Sequence, residues 1–267
     1  MKKWLFLLLL SLNLHAEPIE FVVTASAGGP EDVLIRKLSN VLENKTNLKF
    51  VVLNKPGAAK SIGYSYVEKT NRPVLLTSSD SILDHSVIKS VEPLFYIGSS
   101  SVIWFTSSKS EIKTFDDLIK LSGQREIKVA HAGPTTQGYK ASVSFCDKIF
   151  NCLLVPFKSG PESMIGLLSD TVDVVPLVSY GNLNYIENEK YHSIFVMSNT
   201  KNKAFDVPLL PSKYKNLEKM DWTILFGKNL SEADKKTIVD TLKNLDSSFY
   251  TDMGFHYSFK DTKKLLP

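Results

Sequence analysis

Three times in this chain a β-prone run breaks at a glycine beside a proline and gives way to a helical run. The junctions are Gly28-Gly29-Pro30-Glu31-Asp32, Gly133-Pro134-Thr135-Thr136 and Ser159-Gly160-Pro161-Glu162. Glycine lets the backbone turn closely. Proline suits a first helical position, where its missing N–H is not needed. A fourth turn of this kind, Thr77-Ser78-Ser79-Asp80-Ser81, offers hydroxyls in place of glycine. Repeated strand-turn-helix units predict an α/β chain with mostly parallel sheets flanked by helices.

The pattern between the junctions agrees. Strands are predicted at Ile19–Thr24, Phe50–Leu53, Val74–Thr77, Ile127–Ala130, Leu153–Phe157, Val172–Val175, Ile194–Met197 and Trp222–Phe226. Helices are predicted at Glu31–Leu42, Ile62–Val67, Ser81–Ile88, Phe115–Leu121, Gln137–Phe150 and Glu162–Leu168, with a helical C-terminal stretch capped at Ser231. Leu94–Ile97 and Val102–Thr106 read as paired strands around a Gly-Ser turn. That doubled strand and the proline-rich Val207–Pro211 are candidate crossings between two lobes.

The junctions also suggest chemistry. Ligands of open α/β sheets bind beyond the carboxyl ends of the strands. Helix starts there present free N–H groups and the positive end of the helix dipole. One Gly-Pro junction simply starts a helix; several in one chain point to a shared anion-binding cleft. The 32 basic residues include only Arg36, Arg72 and Arg125, against 28 acidic ones. No basic stripe with interleaved aromatics exists for a nucleic acid. Scarce arginine instead suits an anion held by backbone amides and hydroxyls.

Other chemistries are poorly supplied. Neither GxxxxGK[ST] nor GxGxxG occurs, and no serine sits in a GxSxG elbow. His15, His85, His131, His192 and His256 form no metal-binding spacing, so no metal or cofactor is expected. His131 ends a strand beside Gly133-Pro134 and could touch a ligand, although a structural role is the plainer reading. The acidic pairs Glu31-Asp32 and Asp116-Asp117 lie at helix starts, where they complement the dipole. No bond-making site emerges, and no enzyme is expected.

Residues 1–16 read as a secretory signal peptide: Lys2-Lys3, an apolar run from Trp4 to Leu12, and the small Ala16 at the cut. That run is too short to span a bilayer. The 32 basic residues less Lys2 and Lys3 leave 30 against 28 acidic, a net charge of +2. A periplasmic protein is expected. In that oxidising compartment Cys146 and Cys152 read as a local disulfide, with free buried thiols as the alternative.

The stretch Phe21-Val22-Val23, Gly28-Gly29-Pro30, Val51-Val52-Leu53-Asn54-Lys55-Pro56-Gly57-Ala58 and Ile62-Gly63 resembles the tripartite tricarboxylate transporter receptors, or Bug family of periplasmic solute-binding proteins. The N-x-P-G-A segment followed by I-G is the most specific part. Pro156-Phe157-Lys158-Ser159-Gly160, Leu167-Leu168, Val172-Asp173, Asp206-Val207-Pro208 and Trp222 resemble the family more loosely.

The resemblance implies a two-lobed Venus-flytrap fold of the type II periplasmic-binding-protein class. Lobe 1 is expected over residues 17–106 plus 212–267, and lobe 2 over 107–211. It further implies a monomer that binds a small organic carboxylate between its lobes and delivers it to a membrane permease. A flytrap-fold sensor acting in signalling is the alternative. Carried over by position, the ligand-binding residues are Ser26, Ala27, Gly28, Gly29, Ser78, Ser79, Ser81, Gly133, Thr135, Thr136, Gly138, Tyr139, Ser159 and Gly160. Three departures stand out. Thr24-Ala25-Ser26-Ala27 replaces the usual aromatic and proline residues before the glycine pair. Tyr139 stands where the family often has histidine. Ala59-Lys60 replaces the usual further glycine, so Ser26 and Lys60 mark where ligand preference would differ.

Overall fold

The computed structural model describes residues 17–79, 90–198, 200–217 and 221–257. The expected signal segment 1–16 and the helix expected over Ser81–Ile88 lie outside them.

The chain begins β1 (Ile19–Val23), α1 (Pro30–Lys45), β2 (Phe50–Asn54), α2 (Ser61–Lys69), β3 (Val74–Ser79) and β4 (Glu92–Ser100). It continues through β5 (Val102–Ser107), α3 (Phe115–Ser122), β6 (Ile127–His131), α4 (Gln137–Cys146), β7 (Cys152–Pro156), α5 (Gly160–Leu168), β8 (Val175–Val178) and β9 (Tyr191–Val196). The last elements are β10 (Asp221–Lys228), α6 (Glu232–Lys243) and α7 (Ser247–Thr251).

Strand alternation divides the first sheet into two faces. Phe21 and Val23 of β1 join Leu75 and Leu225 beneath α1 and α6, whereas Val22 joins Leu76, Ile224 and Phe226 on the face carrying Tyr64 and Val67 of α2. Helix α1 buries Leu34, Ile35, Leu38 and Leu42, one stripe at helical spacing. The strand order is β2-β1-β3-β10-β4. The first three strands are parallel, and β10 is antiparallel to both β3 and β4.

The second lobe has a β8-β5-β9 antiparallel sheet and a parallel β6-β7 pair. A parallel bridge between Val129 and Val174 links the two groups. Its core is built on Trp104, whose ring lies 5.1 Å from Phe145, 5.4 Å from Phe195 and 6.0 Å from Phe150. Burying an indole requires a partner for its N–H. Here Trp104 donates to the Met197 sulfur at 3.2 Å.

The two-lobed α/β architecture is as the sequence predicts, with sheets that are mixed where mostly parallel ones were expected. The reason is the crossing. β4 and β5 do not pair with each other: β4 lies beside β10, and β5 beside β8 and β9. The Gly98-Ser99-Ser100-Ser101 stretch therefore carries the chain from one sheet to the other instead of folding back as a hairpin. Val102–Thr106, expected with lobe 1, are strand residues of the second lobe's sheet. Tyr214 and Leu217 likewise pack in the Trp104 core.

Two shorter differences have local causes. Helix α4 stops at Cys146, short of Phe150, because the Cys146–Cys152 disulfide, with Cα atoms 5.4 Å apart, turns the chain directly into β7. The strand expected over Val172–Val175 runs Val175–Val178. Upstream of it, Asp173 accepts from Nη1 and Nη2 of the Arg125 guanidinium at 2.8 and 2.7 Å and from the Lys128 N–H at 2.8 Å.

Candidate functional site

A cavity of about 540 Å³ opens between the lobes, lined by the strand ends and following turns of both. From the first lobe come the turn after β1, the Pro56–Lys60 turn after β2, and Thr77 and Ser78 at the end of β3. From the second come His131 to Gly138, Lys158 to Gly160, and the β8 run Val175–Val178.

Of the residues selected from the sequence, Ser26, Gly29, Ser78, Gly133, Thr135, Thr136, Gly138, Ser159 and Gly160 line this cavity. Gly28 lines a separate depression of about 270 Å³ with Val33 and Lys37. Ala27 is exposed and lines neither, and Tyr139 packs its ring against the edge of His131 with centroids 4.8 Å apart. Ser79 ends β3, and Ser81 lies outside the described residues.

Two helices of the second lobe start at the cavity. Thr136 caps α4, its hydroxyl accepting the Tyr139 N–H at 3.3 Å, and Ser159 caps α5 by accepting the Glu162 N–H at 3.3 Å. Glu162 adds negative charge to the first turn of α5, but α4 has no acidic residue in its first turn. The partial positive charge at the start of α4 is therefore not offset by a side chain of its own first turn. Gly138 sits there for lack of space: a Cβ would lie 2.3 Å from the Pro176 carbonyl oxygen of β8. Gly133 has φ +109°, in the region that favours glycine.

His131 bridges strand and turn, its Nδ1 accepting the Gly133 N–H at 3.1 Å. Burial pushes its pKa below the ordinary histidine value. With Nδ1 engaged as an acceptor, the neutral ring carries its proton on Nε2.

The first lobe is built differently from the expectation of free amides. The Thr24 N–H and hydroxyl donate to Glu31 at 2.9 and 3.0 Å, the Gly28 N–H to Asp32 at 2.9 Å, and the Gly29 N–H to the Ser26 carbonyl at 3.2 Å. The chain's own carboxylates thus occupy much of the donor set around the start of α1. Asn54, from the N-x-P-G-A segment, holds this arrangement. Its amide donates to Asp32 at 2.9 Å and to the Ala25 carbonyl at 3.3 Å, and it accepts Arg36 at 3.2 Å. Burial opposes ionisation of Asp32, but the Arg36, Gly28 and Asn54 hydrogen bonds outweigh it and hold its pKa below the ordinary value.

Lys60 faces Glu31 at 3.4 Å in the cavity wall. Burial works against its charge, yet the Glu31 carboxylate keeps its pKa above the usual lysine value. Sequence reasoning marked Lys60 as a departure but left it out of the site. It gave Glu31 a dipole role only, and did not select Thr24, Gln137 or the β8 strand end. The signal for Glu31 was its place in the first junction. Nothing local in the sequence brings Val175–Val178 to the cavity.

The lobes meet closely beside the site. A Cβ on Gly181, after β8, would lie 2.6 Å from the Pro30 Cα at the start of α1. The Ser100 hydroxyl donates to Gln137 at 3.4 Å. Among the described residues, no helix is long and apolar enough to cross a membrane, and no cluster of metal-ligating side chains occurs.

No family model matches the chain. Protein BugT of Bordetella pertussis (strain Tohama I / ATCC BAA-589 / NCTC 13251) is 24% identical over 217 residues, covering 74% of this chain and 65% of BugT, just under two thirds of that relative's length. The solved periplasmic binding protein BugD superposes with a TM-score of 0.77 at 20% identity, over 89% of this chain and 87% of its own. Rpa4515 of R. palustris, solved with adipate, gives 0.82 at 15% identity, over 95% and 92%. At these identities the structural likeness establishes the fold.

Proposed function

We propose that this chain, which resembles the Bug family of periplasmic solute-binding proteins in sequence and fold, is an extracytoplasmic receptor for a small organic carboxylate. The observation that carries this reading is the cavity between the lobes, where the starts of α4 and α5 converge with the hydroxyls of Ser26, Ser78, Thr135 and Ser159. Such a wall stabilises negative charge with fixed dipoles and demands little reorganisation on binding. Contacts from both lobes favour the closed arrangement by the ligand's differential affinity for it. We take lobe 1 as residues 17–101 with 221–257, and lobe 2 as 102–217.

Adipate bound to the similar Rpa4515 supports the ligand class, and the character of residues 1–16 supports export by a cleavable signal. Delivery to a membrane permease by a monomeric receptor follows from the same resemblance. The test is thermal denaturation of the mature protein with mono-, di- and tricarboxylates, joined to native mass spectrometry for a co-purified acid. Stabilisation that grows with ligand concentration is the expected result. No shift across the panel would sink the carboxylate reading.

A further inference from the structure

We propose that Lys60 is a specificity-determining ligand contact: its ammonium reads a second anionic group, one that the first-lobe amides are not free to hold. The inference rests on the carboxylate reading above and adds to it the division of labour between the two walls.

The first ground is what the first lobe has already used. The Thr24 and Gly28 amides are bound to Glu31 and Asp32, carboxylates of the chain itself. An anion approaching this wall finds two of those donors taken and meets the negative charge of Glu31. Glu31 is the more satisfied partner, with a side chain only 7% exposed and three further contacts at 2.9 to 3.1 Å from Thr24.

The second ground is what Lys60 lacks. An ammonium carries three donors. Among the described residues its only hydrogen-bond or ion-pair partner is Glu31, at 3.4 Å, the long end of the range. Its side chain is 25% exposed in the cavity wall. A charge partly removed from water, with donors to spare, is well placed to meet an anion.

The third ground is the backbone. Ala58, Ala59 and Lys60 take φ values of 46°, 51° and 74°, three consecutive non-glycine residues in left-handed geometry after Gly57 at 112°. Such positions cost energy and persist where their surroundings enforce them. The consequence here is to place Lys60 in the part of the cavity wall that the first lobe supplies.

One anionic group then belongs at the start of α4, held by dipole and amides, and the other at Lys60, held by a full charge. The cavity is also lined by Ala130, Pro176 and Leu177, whose apolar surfaces suit a hydrocarbon spacer.

The experiment compares straight-chain α,ω-dicarboxylates of four to eight carbons with the matching monocarboxylates by calorimetry. It uses the wild-type mature protein, Lys60→Asn (asparagine tolerates left-handed backbone) and Lys60→Arg. The expected result is about a tenfold or greater loss of dicarboxylate affinity in Lys60→Asn. Monocarboxylate affinity stays within about twofold, Lys60→Arg keeps most of the dicarboxylate preference, and added salt narrows it. A purely structural Lys60 would weaken both ligand classes together, and that result overturns the inference. So does unchanged dicarboxylate binding in Lys60→Asn. Binding of neither class to the wild type is a different failure: it removes the carboxylate reading and the inference with it.

Discussion

The ring Nδ1 of His131 accepts the backbone N–H of Gly133 at 3.1 Å, so the last residue of β6 fixes the turn that leads into α4. A protonated ring would put a hydrogen on Nδ1 against that N–H. Burial already favours the neutral form and lowers the pKa. The folded pKa thus lies below the unfolded value of about 6.5. The stability linked to neutral His131 is complete above that value and is lost as pH falls through the folded pKa. His131→Asn keeps an acceptor near Gly133 but does not titrate. Its melting temperature is expected to vary less than the wild type's between about pH 7 and 5. Parallel profiles for the two proteins would refute this.

Gly133 itself has φ +109° with no atom within 4 Å of a built Cβ, so the constraint is backbone geometry and not space. Gly133→Ala is expected to cost about 1–3 kcal/mol by urea denaturation. Carboxylate affinity should fall as well, since the turn at the start of α4 is displaced.

Asn54 ties the end of β2 to the first turn through Asp32, Ala25 and Arg36. Asn54→Ala leaves a buried carboxylate short of a donor, and a loss of about 1–3 kcal/mol is expected from chemical unfolding. The pKa of Asp32 is held down in the fold, so its contribution is present above the unfolded value of about 3.9 and lost as pH falls through the folded one. Acid unfolding of Asn54→Ala should therefore begin at higher pH than in the wild type.

Gly181 touches Pro30 across the lobes, and any side chain at 181 would meet the start of α1. Gly181→Val is expected to hold the lobes further apart. Small-angle scattering with saturating carboxylate should show a larger radius of gyration than the wild type. Identical scattering and affinity would mean that the approach is not needed for binding.

The Cys146–Cys152 disulfide closes a short loop between α4 and β7. In the chain-entropy account a loop of this size stabilises by about 2 kcal/mol. A Cys146→Ser, Cys152→Ser double variant should show a loss of that order by urea denaturation. The wild type should show the same loss on full reduction.

Much of the architecture was legible because the signals are local. The Gly-Pro junctions put Pro30 and Pro161 in the first turns of α1 and α5, whereas α4 begins three residues after Pro134, at Gln137 behind its Thr136 cap; the buried stripe Leu34-Leu38-Leu42 repeats at helical spacing. What the sequence hid is non-local. Nothing in the run from Leu94 to Thr106 reveals that β4 and β5 leave each other for partners 70 or more residues away. The candidate site divides in the same way. Turns that follow strands were found from composition, whereas the β8 wall depends on tertiary packing. Amide donors are interchangeable in sequence, so the use of Thr24 and Gly28 by Glu31 and Asp32 could not be read in advance. Lys60 drew notice only because it stands where the resembled family has glycine, and its left-handed φ of 74° gives that substitution a physical meaning.

The insertion of β10 between β3 and β4 has a consequence for how the molecule is assembled. Strands β5 to β9 are contiguous in the chain, so the second lobe can close on itself from nearby segments. The first sheet cannot. Its β3 and β4 edges stay unpaired until residues Asp221–Lys228 arrive, well over a hundred residues after β3. Long-range pairing of this kind is slow, and open strand edges invite aggregation while they wait. Refolding is therefore expected to show early protection of β5 and β6 amides and late protection of β3. A chaperone that shields the β3 edge would raise the yield more than one acting on the second lobe.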